Sequence, residues 1–66
     1  MKISLKAARV NANLLQSDVA RALGVDRSTI CKWERGITSP TATQFVELCR
    51  LFKIPMDLIF LPDKSA

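Results

Sequence analysis

The sequence predicts an all-α protein, a compact bundle of five short helices in one domain that spans residues 1–66. Apolar residues recur at spacings of three and four, turn-forming residues are sparse, and no alternating apolar and polar run is long enough for a convincing strand. A chain of 66 residues with 48% apolar content lies near the lower size limit for unaided folding, so a second domain is not expected.

The first two helices are defined by their end signals. Ser4 is a suitable N-cap for a helix that continues until Asn13, a residue that tolerates the left-handed backbone conformation found at many helix ends. A second helix is expected over residues 16–23, because Gly24 supplies the permissive backbone that stops it.

A third helix is predicted over residues 27–35, between Asp26 as its cap and Gly36 as its stop. Ile30 and Trp33 share one face of this helix, which indicates that Trp33 belongs to the core.

The last two helices follow a loop. Thr41 and Gln44 form a capping-box pattern that opens the fourth helix. Pro55 disfavours helical geometry in the residue before it and thus ends this helix, and residues 56–60 are expected to form a fifth helix stopped by Pro62. The final four residues are expected to fray.

Composition argues against an enzyme. The chain has no histidine and no tyrosine, and its two glycines are too few and too far apart for a phosphate-binding loop. Cys31 and Cys49 cannot enclose a metal alone, so no metal is expected. No other cofactor and no small-molecule ligand are expected either, because one domain leaves no separate sensor. Charges interrupt the N-terminal segment where a signal peptide needs an apolar stretch, which predicts a cytoplasmic protein with reduced thiols.

Positive charge is concentrated in the first half of the chain. Residues 1–35 contain seven Lys and Arg against three Asp and Glu, whereas residues 36–66 contain three of each. This asymmetry favours a polyanionic partner such as nucleic acid, although a solvated basic face without a partner explains the charge equally well.

Residues 16–35 are the most informative segment about function, because they predict two short helices joined by a tight turn. Two helices that cross steeply need a small contact residue and a glycine between them, and Ala20 and Gly24 meet these demands.

Residues along most of the chain fit one pattern with this segment, namely Leu5, Arg9, Leu14, Gln16, Val19-Ala20, Leu23-Gly24-Val25, Ser28-Thr29-Ile30, Trp33-Glu34-Arg35-Gly36 and Pro40. By these residues the chain resembles the lambda-repressor-like, or Xre, family of helix-turn-helix transcription regulators. The resemblance covers residues 3–61. The chain departs from the family pattern at helix ends, with Asn13, Leu15, Lys53 and Pro55, and in the loop Ile37-Thr38-Ser39, where many relatives carry lysine or arginine.

The resemblance implies that residues 27–35 form a recognition helix in the major groove of double-stranded DNA. Arg27 is then the first candidate for contacting a base, Lys32 the second, and Ser28 matches a base-contacting position of the family. Asp26 is interpreted as a cap rather than as an acceptor from cytosine. The candidates for phosphate binding are Gln16, Arg21, Arg35, Thr38, Ser39 and Thr41. For each charged candidate the alternative is an ordinary solvated charge on an exposed helix.

The resemblance also implies a structural ion pair between Arg9 and Glu34, which ties the first helix to the recognition helix. Separately, the C-terminal segment is too apolar for one side of a short helix to bury. If Leu58 and Leu61 pack inward, part of the set Met56, Ile59 and Phe60 is left for a dimer interface. The alternative is that these side chains only close the core.

The sequence therefore predicts a sequence-specific DNA-binding transcriptional regulator, a repressor that binds a two-fold symmetric operator as a homodimer. The alternative is a protein-interaction module, such as an antitoxin-like partner, that keeps the fold without binding DNA.

Overall fold

Four α-helices and one pair of very short strands make up the computed structural model, which describes residues 2–61. The helices cluster around one core, and the strands join the two ends of the described chain. In chain order the elements are β1 (Ile3–Ser4), α1 (Leu5–Asn11), α2 (Gln16–Leu23), α3 (Arg27–Arg35), α4 (Ala42–Phe52), a 3-10 turn (Met56–Leu58) and β2 (Ile59–Phe60).

The ends of the first three helices follow from single residues. The Oγ atom of Ser4 accepts a hydrogen bond from the backbone N–H of Ala7 at 3.1 Å and so caps α1. The backbone is left-handed at Asn13, with a φ of 60°, and at Gly24 and Gly36, with φ of 72° and 78°. The predicted stops of α1, α2 and α3 therefore lie at these three residues.

Two caps differ in their chemistry. Thr41 Oγ1 accepts from the backbone N–H of Gln44 at 3.2 Å while Gln44 Oε1 accepts from the backbone N–H of Thr41 at 2.9 Å, so the predicted capping box of α4 is present. Asp26 occupies the N-cap position of α3, but its side chain makes no capping hydrogen bond. The prediction of Asp26 as a side-chain cap is therefore wrong.

The prediction of a fifth helix is also wrong. Residues 56–58 form a single 3-10 turn, and β2 then runs parallel to β1, with Ile3 opposite Ile59 and Ser4 opposite Phe60. A helix of five residues gains too few hydrogen bonds to offset its nucleation cost, whereas the extended segment pairs with an existing strand. The predicted stop at Pro62 and the predicted fraying of the last four residues lie outside the described residues.

The extended conformation also changes which side chains face inward. Along a strand successive side chains point to opposite sides, so in β2 Ile59 enters the core while Phe60 remains exposed. Ile59 is only 4% exposed and is not free for a dimer interface, which corrects its predicted role. The prediction that Leu58 packs inward is wrong, because Leu58 is the last residue of the 3-10 turn and its side chain is exposed there. The core consists of Leu5, Ala8, Val19, Ala20, Ile30, Trp33, Leu48, Cys49, Phe52 and Ile59.

Candidate nucleic-acid interface

Helices α2 and α3 form a helix-turn-helix in which one face of each helix is buried. Val19 and Ala20 of α2 pack into the same core as Ile30 and Trp33 of α3, and α2 contacts α3 more extensively than it contacts any other helix. The prediction that Trp33 belongs to the core is confirmed. Because these apolar residues face inward, the polar and basic residues of α3 are left on the outer face.

That outer face borders a groove between the N-terminus of α2 and the length of α3. The groove has a volume of about 430 Å³. Its lining contains three basic side chains and no carboxylate, which gives it a positive character suited to an anion. The lining residues are Gln16, Arg27, Ser28, Cys31, Lys32, Arg35 and Ile37.

Five of the residues singled out in the sequence meet at this groove, namely Gln16, Arg27, Ser28, Lys32 and Arg35. The other four candidates, Arg21, Thr38, Ser39 and Thr41, do not line it. The hydroxyl of Thr41 already accepts from Gln44 as the cap of α4, but its hydrogen remains available for donation.

Two lining residues, Cys31 and Ile37, were not predicted as part of a site. Cys31 lies one helical turn after Arg27, and that spacing was the available signal. Ile37 follows the left-handed Gly36, and its backbone N–H donates to the carbonyl of Lys32 at 2.9 Å. This hydrogen bond is typical of a Schellman motif and brings the loop back toward α3.

Arg9 and Glu34 form the ion pair that joins α1 to α3. Arg9 Nε donates to Glu34 Oε2 at 2.7 Å, with the two side chains 11% and 5% exposed. Arg9 Nη1 donates to the backbone carbonyl of Leu14 at 2.8 Å. Glu34 Oε1 also accepts from Gln16 Nε2 at 3.0 Å, a contact that the sequence pattern did not indicate.

The titratable groups of the described chain do not form a metal-binding cluster. No group of three or more His, Cys, Asp or Glu side chains lies close enough within residues 2–61 to hold a metal ion. Burial raises the pKa of the Cys49 thiol above its ordinary value, since the charged thiolate is disfavoured away from water. No helix in the same residues is long and apolar enough to cross a membrane.

The geometry of α2 and α3, with its basic outer face, defines the chain as a helix-turn-helix protein. Comparison with known proteins identifies the family. Residues 5–59 match the helix-turn-helix family model, and the chain belongs to this lambda-repressor-like family.

Two archaeal proteins are similar to this chain over nearly its whole length. One is an uncharacterized HTH-type transcriptional regulator of Methanocaldococcus jannaschii, 36% identical over 61 residues, which covers 92% of each chain. The other is an uncharacterized HTH-type transcriptional regulator of Archaeoglobus fulgidus, 30% identical over 65 residues, which covers 98% of this chain and 92% of the relative. No solved structure matches significantly.

Proposed function

We propose that this chain binds double-stranded DNA in a sequence-specific manner and regulates transcription, with α3 lying in the major groove. The observation that carries the proposal is the groove beside α3, which is lined by Arg27, Lys32 and Arg35 together with Gln16 and has no carboxylate in its lining. The names of the two archaeal relatives support the regulatory part of the proposal.

Base recognition is assigned to the outer face of α3, beginning at its first residue. Arg27 is the first residue of this helix and is exposed, so its guanidinium can donate to both major-groove acceptors of a guanine. Such a bidentate contact contributes about 1–3 kcal/mol of discrimination between bases. Lys32 and Ser28 line the same groove and supply further donors to base edges.

Phosphate contacts are assigned to the residues that border this helix. Helix α2 begins without a side-chain cap, so its first backbone amides are available to a phosphate, and the helix dipole favours a negative charge there. The Gln16 side chain has one amide N–H left for the phosphate, because its other N–H donates to Glu34. The further phosphate-binding candidates are Arg21, Arg35, Thr38, Ser39 and Thr41.

A salt titration of binding to a random-sequence duplex tests the electrostatic part of the proposal. The logarithm of the affinity is expected to fall linearly with the logarithm of the salt concentration, by about 0.9 for each phosphate neutralised. A flat salt response would overturn the DNA-binding proposal and favour the protein-interaction module instead.

Single substitutions separate base contacts from backbone contacts. Arg27→Ala is expected to weaken binding to the cognate site and to relax discrimination at one base pair per half-site, whereas Gln16→Ala is expected to weaken all sequences about equally. Arg50→Ala is the matched control, because Arg50 is exposed but lines a separate cleft between α2 and α4. Equal losses on cognate and random DNA for Arg27→Ala would reassign Arg27 to the backbone.

We further propose a homodimer that pairs through the C-terminal segment. Met56, Leu58 and Phe60 are 47%, 38% and 46% exposed and lie within one stretch of five residues. A two-fold pairing through this surface presents two recognition helices to a symmetric operator, and a dimer that covers its operator acts as a repressor by excluding other proteins from that DNA.

Sedimentation at tens of micromolar protein tests this assembly. The wild type is expected to be a dimer and Phe60→Lys a folded monomer, because a charge at the centre of an apolar interface is costly to bury. Leu15→Lys is the control, since it places the same charge at an exposed apolar residue on the N-terminus of α2. A monomeric wild type, or a dimer that Phe60→Lys leaves intact, would contradict this interface.

A further inference from the structure

The carboxylate of Glu34 connects the structural ion pair with Arg9 to Gln16, which lines the groove. Its Oε2 atom accepts from Arg9 Nε at 2.7 Å, and its Oε1 atom accepts from Gln16 Nε2 at 3.0 Å and from Arg9 Nη2 at 3.5 Å. Arg9 binds the carbonyl of Leu14 in addition, two residues before α2 begins. One nearly buried carboxylate therefore joins α1, α3 and the first residue of α2.

Gln16 lies on the wall of the groove, and only part of its hydrogen-bonding capacity is used. A glutamine amide has two N–H donors and one acceptor oxygen. One donor of Gln16 is bonded to Glu34, which leaves a second donor and the oxygen free of side-chain partners in residues 2–61. A glutamine at the start of a helix otherwise has several free side-chain torsions, and the bond to Glu34 removes much of this freedom before any partner arrives.

We propose that Glu34 is a positioning residue for DNA binding, which holds the side-chain amide of Gln16 in place so that its second N–H can donate to a phosphate. The inference rests on the proposed function, because it needs DNA at the groove. Glu34 itself does not touch DNA in this arrangement. Its contribution is to fix the Gln16 side chain in the free protein, so that binding does not have to order it.

The size of the effect follows from the cost of ordering a side chain on binding. Immobilising a flexible side chain at an interface lowers affinity by roughly two- to tenfold, and a fixed Gln16 avoids this loss. The hydrogen bond to a phosphate contributes a factor of similar size, about fivefold.

Glu34→Gln removes the second acceptor with little change of shape. A glutamine has one acceptor oxygen, and the charged Arg9 takes it, so the amide NH₂ group at residue 34 faces Gln16 and cannot accept from it. Gln16 can then keep a hydrogen bond to residue 34 only by turning its own amide round to accept with Oε1, which moves its N–H donors from the place they hold in the wild type. The experiment measures affinity for a short random-sequence duplex by fluorescence anisotropy in four proteins: the wild type, Gln16→Ala, Glu34→Gln and the double variant.

The two substitutions are expected to be coupled. Gln16→Ala should lower affinity about fivefold when Glu34 is present and less than about twofold in the Glu34→Gln background, since there the N–H groups of Gln16 are no longer held in their wild-type position. Lys32→Ala is the matched control, because Lys32 lines the groove and makes no hydrogen bond to Glu34. It should lower affinity by the same factor in both backgrounds.

The outcomes separate the two proposals. If the wild type binds the duplex and Gln16→Ala lowers affinity by the same factor in both backgrounds, Glu34 stabilises the fold without positioning Gln16. This inference is then overturned, while the DNA-binding proposal stands. If Gln16→Ala has no effect in either background, Gln16 does not contact DNA and the inference also fails. If the wild type does not bind the duplex, the proposed function fails first.

A measurement on the wild type serves if Glu34→Gln does not fold. The nuclear magnetic resonance order parameter of the Gln16 side-chain Nε2 group is expected to be as high in the free protein as in the DNA complex. An order parameter in the free protein as low as that of an exposed glutamine, rising only with DNA, would overturn the inference.

Discussion

Helix α2 begins at a residue that cannot cap it with its side chain. Leu15 occupies the N-cap position with a φ of −85° and a ψ of 160°, and it is 66% exposed. Its backbone N–H already donates to Asp18 Oδ2 at 2.8 Å, so one half of a capping box is present. Leu15→Thr supplies the other half, a hydroxyl oxygen that can accept from the backbone N–H of Asp18.

The contribution of the N-cap sets the size of the expected difference in stability. A threonine N-cap is about 1 kcal/mol more stabilising than an alanine at the same position. Leu15→Thr and Leu15→Ala both remove the apolar leucine side chain, so the difference in stability between these two variants isolates the cap. We expect Leu15→Thr to unfold at about 4–8 °C higher temperature than Leu15→Ala in a domain of this size.

Urea and thermal unfolding, followed by far-ultraviolet circular dichroism, measure this difference. Thr41→Ala in α4 is the internal reference, because it removes the capping oxygen that accepts from Gln44 and is expected to cost about 1 kcal/mol. Equal stabilities of Leu15→Thr and Leu15→Ala, alongside a clear loss in Thr41→Ala, would refute the argument from the missing cap.

Three further predictions concern stability and thiol reactivity. Lys53→Gly should stabilise the fold by roughly 0.5–1 kcal/mol in urea unfolding, because Lys53 ends α4 with a φ of 57°, a left-handed conformation that costs a lysine more than a glycine. An unchanged urea midpoint would contradict this. Glu34→Ala should cost about 3 kcal/mol by the same assay, since it leaves the 11% exposed Arg9 without its charged partner, and unchanged unfolding would contradict it. Cys49 should resist alkylation near neutral pH until the protein unfolds, because burial raises its thiol pKa. The half-buried Cys31 should be alkylated first, and mass spectrometry can check the order.

The helix-turn-helix was predictable because its signals are local. The bounds of α2 and α3 depend on Gly24 and Gly36, whose left-handed backbone stops each helix within a residue of the periodic pattern. The basic face followed from the same periodicity, since Ile30 and Trp33 determine which side of α3 is buried.

The strand pair and the Gln16 contact were not predictable on the same basis. A parallel pair of two residues each, Ile3–Ser4 and Ile59–Phe60, leaves no periodic signal, and its partners are far apart in the chain. The hydrogen bond from Gln16 to Glu34 depends on how closely α2 and α3 cross, which is a property of packing rather than of spacing.

The pairing of β1 with β2 has a consequence for how the chain is made. Ile3 is synthesised before the four helices and Ile59 after them, so the core remains without one of its buried side chains until β2 has left the ribosome. The helices can form earlier, but β1 has no strand partner until residues 59–60 have emerged. A nascent chain that stalls before residue 59 should therefore be open to proteolysis even though α3 is already complete.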